Sequence, residues 1–98
     1  MNMHSFSESL LKDSPSDSLS PELMALWYDA KGNWDAAHDL INDMEGKDAA
    51  WVHAYLHRKE GDIGNAGYWY RRAGKELSNL SLEEEREEII GALLLVDK

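Results

Sequence analysis

The residues best suited to chemistry lie in the string WVHAYLHRKEGD, residues 51–62, where His53 and His57 stand four positions apart. On a helix that spacing leaves two side chains about 40° apart on one face. Two imidazoles so placed can reach one metal ion, or one can act as acid or base beside a bound ligand. Two donors are too few for a metal, so His38 or an acid such as Glu60 would have to complete the set. The HAYLH string also lacks the glutamate that follows the first histidine in zinc peptidases and serves as their base. No cysteine is present, which excludes thiolate ligands, disulfides and a cysteine nucleophile. There is no phosphate-cradling glycine loop, no nucleophile elbow and no pair of carboxylates at a fixed spacing. No catalytic residue, metal or cofactor is therefore expected.

Two further readings of the histidines stay open. They can be core residues, in which case each neutral ring needs a hydrogen-bond partner, with Tyr28, Tyr68, Tyr70 and Asn65 as candidates. Alternatively, flanked by the small Ala49, Ala50 and Ala54, they can form the floor of a pocket. There Tyr68 and Arg72 would help hold an anion, the guanidinium through paired hydrogen bonds to a carboxylate or phosphate. In a structural role Arg72 would instead pair with acids of the last helix.

The elements that must position these groups read as helices. In SPELMALWYDAKGN, Ser20 caps, Pro21 takes the first helical position and Gly32 stops a helix over 21–31; its stripe is Leu23, Leu26, Trp27 and Ala30. Asn33 caps a second over 34–45, with Trp34, Ala37, Leu40, Ile41 and Met44 at helical spacing and Gly46 as its stop. Asp48 is the expected cap of 49–60 and Asp62 that of 63–73, which ends at Gly74. Gly64 and Gly67 inside that fourth helix each cost roughly 1 kcal/mol relative to alanine, for which close packing or ligand approach would compensate. Ser81 and Glu84 form a capping box for 82–95, whose inward residues are Ile89, Ile90, Leu93 and Leu94. Residues 1–19, rich in Ser and Asp around Phe6, Leu10 and Leu11, read as an arm, flexible or docked. The expectation is one all-α domain over 20–98.

A shift of 29 residues superposes ALWYDAKGNWDAA on AYLHRKEGDIGNA, matching Ala25 with Ala54, Gly32 with Gly61 and Ala37 with Ala66. Helix, glycine turn and second helix with an alanine five residues on resembles the tetratricopeptide repeat, and Ala66, Tyr70 and Ala73 extend the match. The strings WVHAYLHRKEGD and NAGYWYRRAG also resemble those of short bacterial and fungal proteins that bring no activity to carry over. The departures are a 29-residue rather than about 34-residue period, no proline after the unit, and two units rather than three. The resemblance implies two helix hairpins in a right-handed array, closed by the C-terminal helix as a cap. It places His53 and His57 between the paired helices. It also turns Asp48, Trp51, Tyr55, Arg58 and Lys59, with Glu22, Leu26 and Asp29, toward a concave face of the kind that binds peptides. Trp, Tyr and Arg are the types that dominate interface hot spots. Burial of Trp51 and Tyr55 under the arm or the last helix is the alternative.

Composition narrows the partners. A net charge of −9 repels nucleic acid, although residues 58–75 carry Arg58, Lys59, Arg71, Arg72 and Lys75 against only Glu60 and Asp62. The LEEEREE run at 82–88 reads as a solvated helix face. No stretch approaches the ~18 apolar residues of a membrane span, and the opening lacks a basic segment followed by an apolar run, so a soluble, cytoplasmic protein is expected. The function expected is non-enzymatic binding of an acidic or aromatic peptide segment of a protein partner through Trp51, Tyr55, Arg58 and Lys59. The alternative is an anion-binding protein or small enzyme built on His53, His57, Tyr68 and Arg72. Exposed aromatic surface left by having only two repeats makes a homodimer possible.

Overall fold

The computed structural model describes residues 2–96; residues 1, 97 and 98, at the ends of the expected arm and domain, lie outside the described residues. Six helices follow in order: α1 (Met3–Ser9), α2 (Pro21–Ala30), α3 (Trp34–Ile41), α4 (Lys47–Lys59), α5 (Ile63–Ala73) and α6 (Leu82–Val96). No strand occurs among the described residues, so the chain is all-α. α2 packs on α3 and α4 on α5 as two hairpins, and α4 also touches α2, α3 and α6.

The helix boundaries follow local chemistry. Ser20, Asn33 and Asp62 each accept from a backbone N–H three residues on, which satisfies a donor that the first helical turn leaves free. Ser81 and Glu84 exchange hydrogen bonds as a capping box. Gly74 ends α5 in the left-handed region, φ 73°, where a Cβ would be strained. Two boundaries differ from the sequence expectation by more than one residue. α3 stops at Ile41, because the chain turns through 42–46. α4 begins at Lys47 behind Gly46, which has φ 105° and no side-chain cap; Asp48 thus sits inside the first turn, where its charge favours the helix dipole instead of capping it.

The arm is docked in the structure. α1 buries Phe6, Leu19 is also buried, and the Trp27 indole donates to the Ser9 carbonyl at 3.3 Å. Lys31 Nζ donates to the carbonyls of Leu10 and Lys12, holding the turn after α1 against the end of α2. α6 contacts α4, α2 and α1. The Cα radius of gyration is 12.4 Å, close to the ~13 Å of a 100-residue folded domain.

Candidate functional site

Everything of interest radiates from α4, in which every residue from Ala49 to His57 is buried. A helix buried on all sides is surrounded by other elements rather than lying on them. Its polar side chains must then find partners inside the protein, since water is not available to them. They group into two carboxylate networks and one histidine cluster, the last of which leaves His57 Nδ1 without a hydrogen-bond partner.

Glu85 of α6 is completely buried and accepts from Trp51 Nε1 at 3.3 Å, Tyr70 Oη at 2.5 Å and Arg58 Nη1 at 2.9 Å. Arg58 also donates to the Leu80 carbonyl. Asp29 of α2, equally buried, accepts from Tyr55 Oη at 2.6 Å and Lys59 Nζ at 2.7 Å, with Arg86 Nη1 at 3.6 Å. Burial, reinforced by the acceptor carboxylates, pushes both phenols above the ordinary tyrosine range. Both tyrosines therefore stay neutral and donate.

These contacts correct the expected concave face. Trp51, Tyr55, Arg58 and Lys59 do converge, but on Glu85 and Asp29 rather than on open space. α6 covers Trp51 and Arg58, and α2 takes Tyr55 and Lys59. Of the companions expected there, Leu26 and Asp29 are buried and Asp48 is exposed.

The histidines form the third group. His53 and His57 are 3% and 7% exposed, with rings stacked at 4.8 Å between centroids. His38 of α3 meets both edge-on, at 4.9 and 5.3 Å, and its Nε2 lies 3.1 Å from His53 Nε2. Trp69 of α5 stacks on the other face of His53 at 3.9 Å, and Trp34 stacks on His38 at 4.9 Å. Trp34 Nε1 in turn donates to the Leu56 carbonyl, fixing α3 to α4. Burial, then the neighbouring His57 and His38, lower the His53 pKa to about 4. The donor nitrogens of His38, His53 and His57 all lie within 4.8 Å of one another.

This packing tells against a small-molecule pocket lined by both imidazoles, because the stacked rings occupy the space that an organic ligand would need. None of the tyrosines considered as partners serves the histidines: Tyr70 is committed to Glu85 and Tyr68 to Arg72. Arg72 pairs with no acid of α6; its Nη1 donates to Tyr68 Oη at 2.9 Å, and its guanidinium lies 5.7 Å over the Tyr68 ring and 5.2 Å over Trp69. Of the eight residues singled out from the sequence, Lys59, Tyr68 and Arg72 are exposed; Lys59 is tied to Asp29, which leaves Tyr68, 44% exposed, and Arg72 open on the outer side of α5.

Glu85 and Arg86 went unrecognised because LEEEREE reads as one charged face. The signal was in the spacing: Glu85 falls with Leu82, Ile89 and Leu93 on one helical stripe. A carboxylate on an apolar stripe requires internal donors, and α4 supplies them. No helix among the described residues is long and apolar enough to cross a membrane. Compared with protein-family models, curated proteins and solved structures, the chain matches none.

Proposed function

We propose that the chain is a non-enzymatic helical interaction module, tetratricopeptide-like in its two hairpins and their right-handed array, which binds an acidic or aromatic segment of a protein partner on the outer face of α5. The observation that carries this reading is the Tyr68–Arg72 pair, exposed, mutually bonded and continuous with half-buried Trp69. Stacking orders the guanidinium before any partner arrives, so less side-chain entropy is lost on binding. Arg71 is exposed beside it, within residues 58–75, which are net positive in an otherwise acidic chain, and an acidic partner would be steered there. Ile63, half exposed at the start of the same helix, adds apolar area.

The inner face supports the same reading in another way. Through Trp51, Arg58 and Tyr70 it already recognises a carboxylate on a helix, but that helix is the chain's own α6. The test is a comparison of wild type with a Tyr68→Ala/Arg72→Glu double variant as baits, followed by titration of the recovered segment. The expected result is a partner retained by wild type and lost by the variant at unchanged helicity. Recovery of the same proteins by both baits would remove the α5 face from consideration.

A further inference from the structure

The histidine cluster is poorly explained as core. Three neutral imidazoles carry three N–H donors and three acceptor nitrogens, yet among the described residues His38, His53 and His57 make one hydrogen bond, between His38 and His53. His57 Nδ1 is buried with no hydrogen-bond partner; Glu60 Oε1 comes only to 3.6 Å. An unsatisfied buried polar atom costs about 1–3 kcal/mol, and leucine or phenylalanine would fill such a position without that cost.

The geometry points to a transition-metal site in which His38, His53 and His57 bind zinc(II) or a neighbouring late first-row divalent ion. Around a tetrahedral zinc with Zn–N bonds of 2.0–2.1 Å, two donor nitrogens stand about 3.3 Å apart; the His38 and His53 nitrogens are already at 3.1 Å. All three donors fall within 4.8 Å of one another; the His57 ring, stacked on His53, turns out of that stack to bring its nitrogen to the ion. Imidazole donors without thiolate or carboxylate suit zinc, copper(II), nickel(II) and cobalt(II) rather than magnesium or calcium. The scaffold is ordered as well: α4 presents two rings one turn apart, α3 brings the third, and Trp34 and Trp69 hold two rings by stacking. Because His38 is only half-buried, an ion has an approach from the α3 side. Three protein donors leave a tetrahedral ion one position for water. This proposal runs against the expectation of no metal, and it does not rest on the Tyr68–Arg72 surface, although Trp69 borders both.

A second donor set shares His57 with Glu60 and Asp62, but both acids are exposed, so it serves as the internal comparison. The experiment uses tag-free full-length protein stripped with a chelator, then titrated with zinc(II) by calorimetry and with cobalt(II) by visible absorption. Binding at one ion per chain, with the intense absorption bands of a four-coordinate cobalt site, is expected. His38→Ala and His57→Ala should each weaken binding by about 100-fold or more, while His4→Ala, at an exposed position of α1, and Glu60→Gln/Asp62→Asn should leave it within a few-fold. His38 is the least buried ligand, so its variant is expected to keep wild-type helicity. X-ray absorption of the wild-type zinc complex, which needs no variant, should show three imidazoles. No one-to-one binding, full binding by folded His38→Ala, or loss in Glu60→Gln/Asp62→Asn alone would each overturn the assignment.

Discussion

His53 shows how burial and neighbours set the behaviour of a single residue. Its imidazole is enclosed by His57 on the same helix, His38 from α3 and Trp69 from α5, with Glu60 at the far side of His57. In the unfolded chain it titrates near 6.5, and in the folded protein near 4. Between those values the unfolded chain binds more protons, so stability is complete above pH 6.5 and is lost as pH falls toward 4. A difference of that size corresponds to about 3 kcal/mol in metal-free protein. Urea midpoints of chelator-treated wild type and His53→Gln between pH 7.5 and 4 test this. Wild type should show the steeper loss over that window, and parallel profiles would refute the role of His53. The sequence placed His53 and His57 on one face and named His38 as a possible third member, since helical spacing is local information. It did not reveal the closeness of His38, which depends on how α3 and α4 cross.

At the level of elements, the caps at Ser20, Asn33, Asp62 and Ser81 and the stop at Gly74 were legible because each is settled within four residues. The start of α4 was not, because the turn through 42–46 delivers the chain to Gly46 and leaves Asp48 one position inside the helix. The glycines of α5 also read differently in the structure. A Cβ at Gly64 meets nothing within 4 Å, and one at Gly67 meets only Arg71 Nη1, at an ordinary 3.6 Å. Neither position has a positive φ, so neither close packing nor backbone strain explains them. Gly67→Ala should therefore stabilise the protein by about 0.5–1 kcal/mol, through the lower entropy of its unfolded chain. An upward shift of the urea midpoint at unchanged slope is the expected reading. A downward shift would mean that the α5 face requires freedom at Gly67, which would bear directly on its proposed use as a binding surface.

Across the whole molecule, α6 ties together two hairpins that already touch through α4, and joins both to α1. Its Glu85 binds side chains of α4 and α5, its Arg86 approaches Asp29 of α2, and the same helix touches α1. The spacing in LEEEREE puts Glu85 on the apolar stripe, but the donors of α4 and α5 that meet it were not readable there, because that pairing is set by tertiary structure. Removing that carboxylate leaves the Trp51 and Tyr70 donors and the mostly buried Arg58 without their acceptor, so Glu85→Ala should cost about 3 kcal/mol. Glu85→Gln should cost less, since an amide oxygen still accepts while the ion pair is lost. The distribution of the effect matters more than its size. If α6 is integral, amide hydrogen exchange in Glu85→Ala will speed up in α2 and α4 together with α6, as expected when one cooperative unit is weakened. Faster exchange confined to α6 would instead mean that the helix opens by itself and uncovers Trp51, Tyr55 and Arg58, returning the inner face to the set of surfaces a partner can reach.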